Sequence, residues 1–272
     1  MVAAELWRPY FGKAISFGFS GISESRLLID GASITVVMPA YRAAKTLRAT
    51  YEAMPLAVVD HVLVVDDASD DSTVEVARDL GLTCHVHEEN RGYGANQKTC
   101  YSQALATNAD VIIMLHPDYQ YDPRLVTPMA GMIASGVYDV VLGSRILGGG
   151  ALSGGMPWWK YIANRGLTLI QNIALGAKLS EYHTGYRAYS RAFLEQLDFD
   201  RYSDNFIFDN QLLVDAINSG ARIGEISVPT RYFPEASSIK LWASVVYGVG
   251  VLGTTFKGLV ARSMKASRER PR

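Results

Sequence analysis

The chain has 272 residues, 49% hydrophobic and 19% charged, which supplies a sizeable core and fits one globular domain with an appendage. A formal net charge of −1, without a basic stripe interleaved with aromatics, gives no reason to expect a nucleic-acid partner. Cys84 and Cys100 lack CxxC spacing, so neither a zinc site nor a disulfide framework is supported, and a reducing, cytoplasmic compartment is the simpler expectation.

Residues 1–32 mix Glu5, Arg8, Lys13, Glu24 and Arg26 with Trp7, Tyr10, Phe11, Phe17 and Phe19, which is not the apolar run of a signal peptide; they are read as an N-terminal extension. Residues 34–38 and 61–65 are β-branched apolar runs, closed by Pro39 and by Asp66 and Asp67, and predict buried parallel strands. Between them residues 43–53 are rich in alanine and good helix formers, and residues 72–80 predict a helix that Gly81 stops. Strands at 83–87, 110–115 and 137–142 then alternate with helices at 94–106 and 123–135. This alternation predicts an α/β domain, a doubly wound and mostly parallel sheet flanked by helices, whose ligands sit outside the carboxyl ends of the strands. After Gly148, Gly149 and Gly150 the pattern changes to a helix at 158–175 carrying Arg165, a short strand at 186–189, helices at 191–196 and 208–219, and a last strand at 223–230. Residues 241–260 hold no acidic residue but include Lys257 and four glycines, short of an unambiguous spanning helix. Two readings stand: a core helix followed by a solvated basic tail, or an amphipathic helix that rests on an anionic leaflet through Lys257, Arg262, Lys265, Arg268 and Arg270. The predicted division is therefore an extension over 1–32, the α/β domain over 33–235, and a C-terminal helix with a basic tail over 236–272.

The polar clusters fall at the predicted strand ends. His116, Asp118 and Gln120 follow the apolar run 111–115; if the extended conformation continues, Asp118 and Gln120 point to one side and share a divalent cation through oxygen atoms. Asp66, Asp67, Asp70 and Asp71 crowd the turn after the second strand, where a carboxylate accepts hydrogen bonds from a nucleobase imide or a ribose hydroxyl. For Asp70 and Asp71, capping of the next helix explains the residues as well as function does. Asn90, Arg91, Gly92, Tyr93 and Gly94 open a helix, and their glycines permit close backbone approach to whatever sits at its N-terminus.

Taken together, the segments Val36-Val37-Met38-Pro39-Ala40-Tyr41, Val64 to Thr73 with its four aspartates, Asn90 to Gly94, His116 to Gln120 with Asp122-Pro123, Gly143-Ser144-Arg145 and His183-Thr184-Gly185-Tyr186-Arg187 stand in the order found in family 2 inverting glycosyltransferases. The sequence resembles that family over about residues 34–230, and the dolichyl- or polyprenyl-phosphate sugar synthases most. The resemblance implies a GT-A fold and a nucleoside-diphosphate sugar donor, with Pro39, Tyr41, Asp66, Asp67, Asn90 and Gly92 around the nucleotide. It also implies a divalent cation, Mg2+ or Mn2+, held by Asp118 and Gln120, which neutralises the charge gathered by the departing diphosphate. The lipid-phosphate branch usually carries an aspartate where His116 stands; a histidine there either ligates the cation, favouring a softer ion than Mg2+, or orients Asp118.

Arg145, Arg165 and Arg187 are the candidates for gripping an acceptor phosphate, since a guanidinium binds phosphate in bidentate fashion. An ionised acceptor phosphate needs no strong general base, which fits transfer to a polyprenyl phosphate at the cytoplasmic face of a membrane. A hydroxyl acceptor would need one, and the candidates are Asp209, at the start of a predicted helix, and Asp204 before it, with His183 a further acceptor-side group. Residues 232–240 resemble the segment that closes over the nucleotide, with Ser237, Ser238 and Lys240 in reach of the diphosphate. Two rivals remain at this level: a soluble transferase acting on a small molecule or saccharide, and a catalytically silent nucleotide-sugar binding protein. Neither the sugar nor the oligomeric state is written in these residues.

Overall fold

The computed structural model describes residues 29–232 and 241–268. Residues 1–28, the segment carrying Ser237, Ser238 and Lys240, and Arg270 lie outside them. A seven-stranded sheet forms the centre, built from β1 (Ile34–Ala40), β2 (His61–Asp66), β3 (Thr83–Val86), β4 (Val111–Met114), β5 (Val140–Ser144), β6 (Arg187–Ser190) and β7 (Ile223–Ser227) in the order β3-β2-β1-β4-β6-β5-β7. Helices α1 (Leu47–Glu52), α2 (Thr73–Asp79), α3 (Tyr93–Leu105), α4 (Val126–Ala134), α5 (Trp158–Leu175), α6 (Arg191–Leu194), α7 (Phe208–Ser219) and α8 (Leu241–Arg268) complete the described chain.

Both faces of the sheet are covered, which explains why the strands read as continuous apolar runs rather than alternating ones. Val36, Met38, Val64 and Ile113 join Leu47, Ala77, Val126 and Met129 in one core. Their strand neighbours Val37, Leu63, Val65 and Ile112 face the other way and pack with Tyr101, Ala104, Phe208 and Leu212. Cys84 and Cys100 are both unpaired.

One strand departs from the parallel pattern and thereby assembles the site. β6 runs antiparallel to β4 and β5, its Arg187 in register with Met114 and with Leu142. The segment 183–186 that enters β6 therefore lies beside the carboxyl ends of β4 and β5, next to His116 and Arg145. Several predicted boundaries shift. The first helix begins at Leu47, not at residue 43, because residues 41–46 form a turn in which Arg42 takes a left-handed φ of 53° and Ala43 N donates to Thr73 Oγ1 at 2.8 Å. The fifth strand begins at Val140 and the last ends at Ser227, since these are the residues paired between β5 and β7.

α8 lies across α5 and α7. Val251 and Thr255 are buried, Asn218 Nδ2 donates to the Gly258 carbonyl at 3.2 Å, and Arg262 donates to the Leu175 carbonyl, so one face of the helix is fastened to the domain along its length. Residues Ser244–Met264, 21 in all, are long and apolar enough by length and composition to cross a membrane. Its outward stripe remains apolar: Val249 and Phe256 are 67% and 65% exposed. α5 likewise presents Trp158, Ile162, Leu169 and Ile173, spaced as one helical face, to the outside.

Candidate active site

The loop after β4 is the centre of the site, and it is not extended. Tyr119 adopts a left-handed φ of 57°, and Gln120 N donates to Asp118 Oδ1 at 3.0 Å. Asp118 and Gln120 are thus brought together by a turn, which corrects the expectation of strand alternation. A bulky non-glycine residue at positive φ is backbone strain held by its surroundings, a feature that clusters at functional sites. Here the surroundings are the bridge between Tyr121 and Thr230 and the hydrogen bond from Arg231 N to the Gln120 carbonyl at 3.2 Å.

His116, Asp118 and Gln120 line one cavity of about 300 Å³ with Tyr93, Arg145, Lys160, His183, Asp209, Tyr232 and Tyr247. Among the described residues no group of three or more His, Cys, Asp or Glu side chains is placed to hold an ion by itself. One carboxylate, one amide and one imidazole fit a hard divalent cation that takes its remaining ligands from a diphosphate and water. The residues present therefore suit a cation delivered with the donor rather than a caged one.

At the carboxyl end of β2 the aspartates organise loops. Asp66 and Asp67 are 0% and 3% exposed. Asp66 accepts from Ser69 N at 2.8 Å and Ser69 Oγ at 2.5 Å. Asp67 accepts from Arg91 N and Gly92 N, both at 2.9 Å, contacts His87 Nδ1 at 2.7 Å, and its carbonyl accepts from Asn90 Nδ2 at 3.2 Å. The carboxylate holds the Asn90 to Gly92 turn in place before α3. Gly92 has φ 93°, and a Cβ there would lie 2.9 Å from the Asp204 carbonyl oxygen, so this turn requires glycine. Pro39 lies within β1 in register with Val65, and the strand runs on to Ala40 rather than closing at the proline, whereas Tyr41 is exposed beneath the Arg42 guanidinium, 5.2 Å from its ring centroid. Asp70 forms a surface ion pair with Arg42, and Asp71 accepts from Thr73 N at 3.1 Å ahead of a helix whose N-cap position is Ser72, so neither is the N-cap residue itself.

The three arginines separate. Arg165 is exposed, donates to the Ser180 carbonyl at 2.7 Å and does not reach the cavity. Arg187 is fully buried and donates to the carbonyls of Thr184, Asp209 and Tyr182, a strut under the site rather than a contact in it, because a guanidinium without solvent spends its donors on whatever carbonyls surround it. Arg145 does line the cavity, but Glu181, Tyr232 Oη and the His183 carbonyl take its donors. Lys160, on the α5 stripe that lines the cavity with Trp159, Ala163, Asn164 and Leu167, is a second cation there, and sequence reasoning missed it. Its pKa is lowered by burial and by the Arg145 charge. The signal was available: two polar residues, Lys160 and Asn164, interrupt an otherwise apolar face at i, i+4.

Asp209 opens α7 and is buried. Its Oδ2 accepts from Tyr93 Oη at 2.7 Å and Gln97 Nε2 at 3.3 Å, Arg187 Nε stands 3.9 Å from Oδ1, and Oδ1 has no hydrogen-bond partner. His183 places Nδ1 2.9 Å from Tyr247 Oη of α8, while its Nε2 is shut from solvent without a partner. Burial lowers its pKa to about 4. Because the folded value lies below the unfolded value of about 6.5, the stabilisation is complete above that value and is lost as pH falls toward 4. At about 1.4 kcal/mol per pH unit, the wild type is expected to lose up to about 3 kcal/mol more than His183→Asn between pH 7 and pH 4 in urea denaturation. Equal losses in the two proteins would show that the imidazole is not held neutral.

The sheet order and the residues gathered at its carboxyl edge define a GT-A glycosyltransferase. A crystal structure of glucosyl-3-phosphoglycerate synthase from Mycobacterium tuberculosis, in complex with Mg2+ and uridine diphosphate, shares the fold with a TM-score of 0.66 at 19% identity, over 88% of this chain and 84% of that one. The chain belongs to glycosyl transferase family 2, whose pattern it matches over residues 35–198. It is 28% identical to an undecaprenyl-phosphate mannosyltransferase of Micrococcus luteus, over 84% of this chain and 95% of that protein. It is 24% identical to a UDP-N-acetylglucosamine–dolichyl-phosphate N-acetylglucosaminyltransferase of Methanococcus voltae, over 73% and 86% of the two chains.

Proposed function

We propose that the protein transfers a hexose or N-acetylhexosamine from a nucleoside diphosphate, with inversion, to a polyprenyl phosphate at the cytoplasmic surface of a membrane. The observation that carries this reading is the lining of the cavity. Asp118, Gln120 and His116 share it with two cations, Arg145 and Lys160, and with Met156, Trp159, Ala163 and Leu167. Two cations close enough that one lowers the other's pKa suit a phosphate, and the apolar stripe beside them suits the first carbons of a lipid. When bound, a divalent cation at Asp118 and Gln120 neutralises the diphosphate that leaves. The nucleophile is an acceptor phosphate oxygen already ionised, so no side chain has to remove a proton during attack. Lys160 orients that phosphate, and burial of the cavity walls excludes water that would compete with it.

The relatives named for undecaprenyl-phosphate and dolichyl-phosphate transfer support this acceptor class. Incubation of the purified chain with several nucleotide sugars, Mg2+ or Mn2+, and either undecaprenyl phosphate or water-soluble acceptors tests it. Product from the lipid alone is expected; product from a soluble acceptor alone would replace the lipid reading. The second reading, with Asp209 as general base for a hydroxyl acceptor, is favoured by the unpartnered Asp209 Oδ1. Donor binding without turnover on any acceptor would leave a silent binding protein.

The reading places α5 and α8 flat against the membrane. A spanning α8 would have to leave its contacts at Val251, Thr255, Gly258 and Arg262, whereas a helix lying on the interface keeps them and buries the stripe of Val245, Val249, Leu252 and Phe256 in lipid. Changing Val249 and Phe256 together to aspartate is expected to weaken binding to vesicles about a hundredfold or more, at about 1.5–3 kcal/mol for each buried apolar side chain lost. Sedimentation with liposomes measures it, and unchanged partitioning would reject the flat orientation.

A further inference from the structure

Tyr93 is the first residue of α3 and stands between two residues of the site. Its hydroxyl donates to Asp209 Oδ2 at 2.7 Å and lies 3.2 Å from His116 Nε2. Its ring stacks on the His116 ring, with centroids 5.5 Å apart and planes 7° from parallel, and packs on Phe206 at 4.7 Å. A phenol has one proton to give. With that proton committed to Asp209, the phenol oxygen faces His116 as an acceptor, and a neutral imidazole must carry its own proton on Nε2. Gly185 closes the same edge of the ring: a Cβ there would lie 2.8 Å from His116 Nε2. Nδ1 keeps its lone pair, and a neutral imidazole nitrogen in that state is a metal ligand.

We infer that Tyr93 is a positioning residue that holds His116 as the Nε2–H tautomer, so that Nδ1 serves the donor cation as a nitrogen ligand beside Asp118 and Gln120. The inference rests on the reading of this loop as the donor's cation site. It explains how a histidine stands where the lipid-phosphate branch carries an acid: the hydrogen bond that orients a ligating histidine is accepted by the phenol oxygen at the start of the preceding helix α3, in place of the usual carboxylate or carbonyl. A donor set of one nitrogen and two oxygens also shifts the preference from Mg2+ toward Mn2+.

Nitrogen NMR of the 15N-labelled, metal-free protein, with His116 assigned through His116→Gln, reads the tautomer directly; Nε2–H is expected in the wild type and a mixture in Tyr93→Phe, which keeps both ring contacts. Pulsed EPR of Mn2+ bound with uridine diphosphate, and with guanosine diphosphate in parallel, is expected to show a nitrogen coupling that His116→Gln removes. Calorimetry is expected to show Mn2+ affinity about tenfold lower in Tyr93→Phe, the lower end of the loss when a ligand's hydrogen-bond partner is removed, with Mg2+ affinity changed far less. An Nδ1–H tautomer in the wild type, or bound Mn2+ without coupling to His116, overturns the inference and leaves the donor site standing. If the wild type binds no Mn2+ with either nucleotide, the donor-site reading itself falls. Both wild-type measurements decide the matter even if Tyr93→Phe does not fold.

Discussion

Replacing Asp118 with alanine is expected to lower turnover about a thousandfold and to abolish cation-dependent binding of the nucleoside diphosphate. Of the three side chains gathered at the β4 loop, Asp118 alone brings a full negative charge. Neutralising a departing diphosphate is worth several kcal/mol of barrier, and about 4 kcal/mol corresponds to three orders of magnitude in rate. The same carboxylate also accepts the Gln120 amide that closes the strained turn at Tyr119, so loss of geometry must be separated from loss of charge. Asp118→Asn does so: its amide oxygen still accepts from Gln120 N, while the charge is gone. Calorimetric titration with the nucleotide, with and without Mg2+ or Mn2+, is expected to show both variants blind to the cation, and Asp118→Asn as stable as the wild type. Full turnover in the alanine variant, or in the wild type under excess chelator, would remove the cation from the reaction.

The part of the fold that could be read from the sequence was the part fixed by local rules. β-branched runs closed by proline or aspartate gave β1 and β2, Gly81 and Gly220 gave two helix ends, and the aspartate, glycine and histidine clusters marked the carboxyl edge of the sheet before its strand order was known. What escaped depends on contacts distant in sequence. Nothing in the residues around Arg187 says that β6 runs antiparallel, and that single reversal carries His183 and Gly185 to His116 and Arg145. Three arginines were candidates as phosphate ligands in one dimension, Arg145 favoured by its motif; in three, one is exposed, one is buried under carbonyls and one is bound to Glu181, a residue with no motif to announce it. Spacing misled at Asp118 and Gln120: both line the cavity, but a left-handed Tyr119, not a continuing strand, brings them there. The positions that broke local expectation lie in the site itself, as strain and buried polar groups tend to.

The second large effect is expected at Arg145. Glu181 is completely buried; burial alone would raise its pKa, yet the Arg145 charge and hydrogen bonds, with Asn164 Nδ2 at 2.8 Å, hold it below its ordinary value. Arg145→Met leaves that carboxylate without its cation, and breaking a buried pair from one side costs about 3–5 kcal/mol. The pH dependence then reverses sign. In the wild type the depressed pKa contributes stability that is present above the unfolded value, about 4.3, and is lost as pH falls through the folded one. In the variant the unpaired, desolvated carboxyl titrates above that value, so the folded state holds the proton more tightly and the gap between the two proteins narrows as pH falls from 7 toward 4. Urea denaturation at several pH values measures this, and a gap that stays constant would mean that Glu181 is not the charge left behind. Arg145→Met combined with Glu181→Leu removes both charges and is expected to recover most of the stability, since replacing a buried pair by apolar side chains is often neutral. Turnover of the double variant then separates the two roles that Arg145 has in the cavity wall: recovery of stability and turnover together would make it a strut for the His183 and Tyr232 segments, whereas stability recovered without turnover assigns its guanidinium a contact with the acceptor phosphate.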